Sequence, residues 1–176
     1  MANRQALREL QTRLAEKLQT ARTQGVAASW LAVEAGGLKY LFPLSQSGEI
    51  FPWVMTQPVP YTQHWFSGVA NLRGGLFGVV DLASFVSGKP PPPKNELARS
   101  DARLVAFNTA LAVNCALLID KLSGLRNQEA FVDFSPSKPD APDFFGNCYV
   151  DVHGASWQEI NLQLLAQQAH FLTIGA

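Results

Sequence analysis

The feature that most constrains the fold is a pair of short apolar runs on either side of a tight turn. The runs cover residues 69–72 and 76–80, and the turn between them reads Arg-Gly-Gly. Each run has the length and the side chains of a β-strand. We predict a hairpin in which Gly74 or Gly75 has a positive φ, because glycine reaches that region without a Cβ clash. Periodicity alone favours a structural hairpin that carries one solvated arginine.

The turn belongs to a longer string, Gly-Val-Ala-Asn-Leu-Arg-Gly at residues 68–74, which is followed by an apolar run and Asp81-Leu82. This string resembles the signature of the CheW-like coupling domains of bacterial chemosensory systems. Residues 29–44 resemble the family's opening pair of strands, Glu49-Ile50 its Glu-Ile pair, and residues 117–120 its later strand ending in aspartate. The resemblance covers residues 28–166. It departs from the family after the turn, where a commonly found proline is missing.

Bulk composition is typical of one cytosolic domain. The chain has 176 residues, enough for a sizeable core, and its 14 basic side chains balance 14 acidic ones. Balanced charge argues against a nucleic-acid footprint or a polybasic membrane contact. Cys115 and Cys148 lie far apart without a Cys-x-x-Cys partner, which favours reduced, mostly buried thiols. No apolar run suits a signal peptide or a membrane span, so we expect cytoplasmic localisation.

The pattern along the chain predicts two parts, a helical N-terminal extension at residues 1–24 and a two-lobed domain at residues 25–176. Leucines recur at helical spacing within residues 4–22, so this helix either packs on its own domain or docks on a partner helix. This domain contains a Pro-rich connector at residues 88–101. Because four consecutive prolines supply no backbone donors, we expect the connector to be exposed and mobile.

Short apolar runs separated by turn residues predict a mainly β domain. Pro52 places the third run at a sheet edge or a bulge. Ser156-Trp157-Gln158-Glu159 is a capping-box pattern, and we expect it to open a C-terminal helix. The buried face of that helix would carry Trp157, Ile160, Leu164 and Leu165.

Catalytic chemistry has no clear pattern in this sequence. His64, His153 and His170 lack metal-ligand spacing, and neither cysteine has the local context of a catalytic thiolate. We therefore predict a protein that is not an enzyme and that uses no cofactor and no metal. Two alternatives stay open, a small nucleic-acid-binding β-barrel and a small hydrolase with a dispersed active site. The first needs a basic groove with exposed aromatic side chains.

The family resemblance implies a fold of two five-stranded, SH3-like barrels with exchanged strands, plus N- and C-terminal helices. It further implies an adaptor that couples chemoreceptors to a histidine kinase. The expected partners are the kinase's regulatory domain and the cytoplasmic tips of methyl-accepting receptors, in arrays under the inner membrane. Neither nucleic acid nor direct membrane insertion is expected. The N-terminal extension resembles the variant found in pilus-linked systems for twitching motility.

The matched motif also supplies the candidate protein-binding surface. Glu49 and Arg73 match family positions that can meet across neighbouring strands, so we predict an ion pair or a shared hydrogen-bond network between them. Its use would be to orient the binding surface, because an exposed pair stabilises a fold by only about 0.2–1 kcal/mol. The full candidate surface consists of Glu49, Phe51, Val69, Asn71, Leu72, Arg73 and Gly74.

Overall fold

The structure, a computed structural model, describes residues 30–93 and 95–176. The helix predicted within residues 1–24 lies outside the described residues. The described chain is mainly β, with short helices and two 3-10 turns, Thr109–Leu111 and Gln128–Ala130. Its strands are β1 (Trp30–Ala35), β2 (Leu38–Pro43), β3 (Ser47–Pro52), β4 (Phe66–Leu72), β5 (Gly75–Asp81), β6 (Arg103–Phe107), β7 (Cys115–Ile119), β8 (Lys121–Arg126), β9 (Phe131–Ser135), β10 (Phe145–Asp151) and β11 (Ser156–Ile160). Its helices are α1 (Leu82–Ser87), α2 (Glu96–Asp101), α3 (Leu162–Gln167) and α4 (Ala169–Leu172).

These strands form two sheets that exchange strands, as predicted. One sheet has the order β8-β1-β2-β11-β10-β9, and the other has the order β3-β6-β7-β5-β4. The described chain starts in the first sheet, builds the whole of the second, and returns to the first after β7. Neighbouring strands are antiparallel except for two parallel pairs, β5 with β7 and β2 with β11. The third strand lies at an edge and carries a bulge, as Pro52 predicted.

The first sheet has six strands instead of five because residues 156–160 form β11 and not the start of a helix. The helix prediction for this segment is therefore wrong. Trp157 and Ile160 are both buried but belong to different core clusters, so the segment is covered on both faces. The following helix begins one residue after Asn161, whose Oδ1 accepts a hydrogen bond from the backbone N of Leu164 at 3.0 Å. Leu164 is 41% exposed, whereas Leu165 is buried.

Three hydrophobic clusters stabilise this arrangement. The largest contains residues from both sheets and from the C-terminal helices, so it joins the two lobes. A second cluster is confined to the five-stranded sheet and a third to the six-stranded sheet. In the third, the Trp30 ring on β1 lies 5.9 Å from the Phe131 ring on β9 and 4.9 Å from the Tyr149 ring. Because β9 is four positions from β1 in the strand order, this contact requires the sheet to curl.

The five-stranded sheet also curls, because the segment that follows β3 is hydrogen-bonded to β4. Gln57 forms an isolated antiparallel bridge with Val69 on β4, with N···O distances of 2.8 and 2.9 Å. The hydroxyl of Thr56 donates to the carbonyl of Ser67 at 2.9 Å. These bonds connect the segment after β3 to β4, and so bring the β4–β5 hairpin close to β3.

The Pro-rich connector is exposed over residues 88–93, as predicted, but its second half is the helix α2. The guanidinium carbon of Arg99 on α2 lies 5.1 Å from the centroid of the Trp53 ring. This cation–π contact holds α2 against Trp53, although the proline content of the connector predicted a mobile segment.

Limited trypsin digestion is expected to cut the native protein first in this connector, after Lys94 or Arg99. An exposed connector meets the protease without unfolding of the domain, whereas the strands must open first. Lys89 is an internal control, because the proline that follows it blocks cleavage. Mass spectrometry of the first fragments checks the site. Early cleavage elsewhere with an intact connector would show that the connector is packed.

Candidate functional site

The hairpin turn consists of two residues, Arg73 and Gly74, both in the left-handed region. Their φ angles are +50° and +83°, and Leu72 pairs directly with Gly75 across the turn. The Oδ1 atom of Asn71 accepts a hydrogen bond from the backbone N of Gly74 at 2.9 Å. The prediction of a positive φ at Gly74 or Gly75 is confirmed at Gly74. The sequence argument missed that Arg73 shares this conformation, which is uncommon for a side chain other than glycine or asparagine.

Arg73 and Glu49 form the predicted ion pair, with 2.8 Å between Nη2 of the arginine and Oε1 of the glutamate. The side chains are 76% and 43% exposed, so water screens the pair and its contribution to stability is small. The prediction was wrong in one respect, because β3 and β4 are not neighbours but the two outer strands of the five-stranded order. Their approach depends on the curvature of the sheet.

The ion pair lies on the rim of a groove of about 420 Å³. Phe51 and Phe77 are partly buried side chains on the wall of this groove, and both pack against the cluster inside the five-stranded sheet. A charged rim around an apolar wall is the usual arrangement of a protein-binding surface. The groove is lined by Gly48, Glu49, Phe51, Leu72, Arg73, Gly75, Phe77, Ala106, Phe107, Asn108 and Thr109. We call it the Arg73 groove.

The structure brings four of the seven predicted site residues to this groove: Glu49, Phe51, Leu72 and Arg73. Leu72 is 4% exposed, so most of it belongs to the core. The other three do not line the groove. Val69 forms the backbone bridge to Gln57, while Asn71 and Gly74 hold the turn through the hydrogen bond described above.

Sequence analysis missed the groove residues at the end of β6 and just after it, residues 106–109. They reach the groove because β6 pairs with β3, with Val105 opposite Ile50 and Phe107 opposite Ser47. This pairing joins segments more than fifty residues apart, so no local sequence pattern predicts it. Phe77 could have been found, since it stands in the hairpin directly after the turn.

Other reactive groups do not form a second chemical centre in the described part of the chain. Both cysteines are free, and burial raises the pKa of the Cys115 thiol, which makes it inert at neutral pH. Residues 30–93 and 95–176 contain no group of three metal-ligating side chains. A hydrogen bond from Ser123 lowers the pKa of Glu34, and one from the Trp157 indole lowers the pKa of Asp151. Both carboxylates stabilise local structure on the six-stranded sheet.

Comparison with known proteins assigns the chain to a family. The model of the CheW-like domain matches residues 29–168, which is most of the chain. The chain belongs to the CheW-like domain family. Protein PilI from Pseudomonas aeruginosa is 25% identical over 161 residues, covering 86% of this chain and 84% of that protein. Among the described residues, no helix is both long and apolar enough to cross a bilayer.

Among solved structures, the scaffolding protein TtCheW from Thermoanaerobacter tengcongensis has the same fold, with a TM-score of 0.66. The alignment covers 83% of this chain and 91% of that one, at 15% sequence identity. The similarity supports the fold of two sheets with exchanged strands. The family match ends at residue 168, so α4 and the last residues of the chain lie beyond it.

Proposed function

We propose that this protein is a non-catalytic adaptor that couples chemoreceptors to a histidine kinase in a bacterial chemosensory pathway. The observation that carries the proposal is the exposed Arg73–Glu49 pair beside an apolar groove, since its arginine belongs to the family's most specific motif. TtCheW is described as a scaffolding protein, in agreement with a binding role for this fold. The kinase's regulatory domain and the cytoplasmic tip of a methyl-accepting receptor are the proposed partners.

The pathway we propose is the pilus-linked one, which controls twitching motility through type IV pili. The resemblance to PilI over most of both chains supports this assignment. In this role the protein works in the cytoplasm and is recruited to receptor arrays under the inner membrane. It needs neither a cofactor nor a metal, because coupling depends on contact between proteins.

The chemistry of the Arg73 groove fits a moderate, reversible interaction. Its apolar wall supplies contact area, and its charged rim supplies orientation and partner choice. We expect an affinity in roughly the micromolar range, which suits a lattice held together by many weak contacts. A pairwise binding assay with the kinase's regulatory domain and a receptor fragment tests the proposal. Binding to neither by a folded sample would leave only the fold.

Reversing the charge of Arg73 or Glu49 is expected to weaken partner binding about tenfold while changing the free energy of unfolding by less than about 1 kcal/mol. Each single variant, Arg73→Glu or Glu49→Arg, places two like charges on the rim. The double variant restores an ion pair and should recover part of the affinity. Calorimetric titration with the kinase's regulatory domain measures binding, and urea denaturation measures stability.

Lys39→Glu is the matched control for this experiment. It breaks the ion pair between Lys39 and Glu34, whose atoms are 3.4 Å apart on the six-stranded sheet, whereas the hairpin belongs to the five-stranded sheet. Partner binding should be unchanged in this variant. A loss of several kcal/mol on reversing Arg73, with intact binding, would instead make the arginine a structural residue of the hairpin.

A further inference from the structure

A second cleft shares no residue with the Arg73 groove. It has a volume of about 430 Å³ and lies where three segments meet. The turn between β1 and β2 forms one wall, α1 forms the second, and the prolines at positions 90–92 form the third. Volumes of this size are at the lower end of those that hold small ligands. We call it the proline cleft.

The walls of the proline cleft are mostly apolar. Leu38 is 58% exposed there, so a large apolar side chain faces solvent at the cleft. The polar side chains on the wall are those of Tyr40, Ser84, Ser87 and Lys89. The apolar lining consists of Ala35, Leu38, Ala83, Val86, Pro90, Pro91 and Pro92.

Three hydrogen-bond donors on this wall have no acceptor among the described residues. The Tyr40 ring is part of the core, while its hydroxyl is not sealed from solvent and makes no hydrogen bond to a described residue. Ser87 accepts a bond from the backbone N of Lys89 at 3.3 Å, but its own proton goes to none of the described acceptors. The Lys89 ammonium forms no ion pair within residues 30–93 and 95–176. Burial raises the pKa of Tyr40, so its hydroxyl keeps its proton at neutral pH.

Hydrogen bonds within the fold fix the walls of the cleft. Gly88 has φ +67° and ends α1 with a hydrogen bond from its N to the carbonyl of Ser84 at 2.9 Å. The Ser84 hydroxyl is buried and donates to the carbonyl of Lys89 at 2.5 Å, which fixes the root of the proline run. On the opposite wall, the N of Gly36 donates to Oδ2 of Asp120 at 2.7 Å. A ligand would therefore enter a preformed site.

We propose that the proline cleft binds a small carboxylic acid with an apolar chain. The chain would lie against Leu38, Val86 and the prolines, and the carboxylate would accept hydrogen bonds from the Tyr40 hydroxyl and the Lys89 ammonium. A tyrosine hydroxyl without a partner and an exposed, unpaired ammonium on the wall of one apolar cleft favour an anionic acceptor, because hydrogen bonds to charged groups are the stronger ones. This inference goes beyond the adaptor role and does not depend on it.

Titration of the full chain with sodium octanoate, monitored by ¹H–¹⁵N NMR, tests this inference. We expect saturable binding at millimolar concentration or below, with the largest shifts at the amides of Leu38, Val86 and Lys89. Octanol has the same chain without the charge, and acetate has the charge without the chain. Each should bind about tenfold more weakly or not at all, because each lacks one half of the recognised chemistry.

Substitutions then locate the site. Tyr40→Phe keeps the buried ring and removes only the hydroxyl, and Lys89→Gln removes the cation. Each should weaken octanoate binding about tenfold. Leu38→Glu should abolish it by placing a like charge in the cleft. Leu76→Glu is the matched control, since Leu76 is 64% exposed on the hairpin and does not line the cleft, and binding should be unchanged.

Several results would overturn the inference. Equal binding of octanol and octanoate would show that the donors are unused. Octanoate binding that survives all three cleft substitutions would place the ligand elsewhere, and no saturable binding by a folded sample would leave the cleft without this ligand. Tighter binding of the peptide acetyl-Leu-Glu-Leu-amide than of octanoate would assign the cleft to a partner's acidic segment. Failure of kinase or receptor binding would affect none of these outcomes.

Discussion

Replacing Gly68 with alanine is expected to destabilise the protein by about 3 kcal/mol, although it adds only one methyl group. Gly68 has φ +118°, a conformation that side chains other than glycine rarely adopt. A Cβ atom at this position would lie 2.2 Å from the carbonyl oxygen of Gln57. Because backbone cannot rotate away as a side chain does, the bridge between Gln57 and Val69 must open. Backbone strain of about 1–2 kcal/mol and lost hydrogen bonds then add together.

Gly154→Ala separates the two contributions to this loss. Gly154 has φ +80°, but a Cβ there would meet nothing within 4 Å. Its cost should therefore be the conformational one alone, about 1 kcal/mol. Urea denaturation of both variants measures the difference. Equal losses would mean that the contact with Gln57 is easily relieved and that the bridge does not hold the sheet closed.

The hairpin shows what the sequence could predict of this fold and its site. Its strands and the positive φ of Gly74 follow from a short local motif, whereas the Arg73–Glu49 pair was predicted from the family positions that both residues match. The strand at residues 156–160 could not be predicted in the same way. Ser-Trp-Gln-Glu has the pattern of a helix start, but the segment pairs antiparallel with β10 and parallel with β2, which lies more than a hundred residues earlier in the chain.

The residues of the Arg73 groove also divide into those that a local pattern indicates and those that depend on pairing between distant segments. Phe51 and Arg73 stand in recognisable segments, whereas the contribution of β6 depends on its pairing with β3. The proline cleft was even harder to predict from the sequence. The proline run predicted an exposed spacer, whereas in the structure its prolines form one wall of a cleft. That role arises from the hydroxyl of Ser84, a residue inside an apolar run, and no pattern distinguishes it.

The end of the chain carries the second large effect on stability that we expect. Phe171 lies three residues beyond the family match, yet it is only 3% exposed. Its ring lies 5.3 Å from the Phe85 ring, 5.7 Å from the Phe107 ring and 6.3 Å from the Trp65 ring. The segment that follows is fixed as well, since the backbone N of Gln63 donates to the carbonyl of Ile174 at 2.8 Å.

Phe171→Ala is therefore expected to lower the free energy of unfolding by about 3–5 kcal/mol, the usual loss for a buried phenylalanine. The neighbouring Leu172→Ala is the control, because Leu172 is 54% exposed and its truncation should change stability by less than about 0.5 kcal/mol. Urea denaturation followed by tryptophan fluorescence measures both, since Trp65 packs on the Phe171 ring. A loss below about 1 kcal/mol would mean that the C-terminal residues detach in solution. The expected loss would make them part of the core, where they also hold the segment that leads into the β4–β5 hairpin.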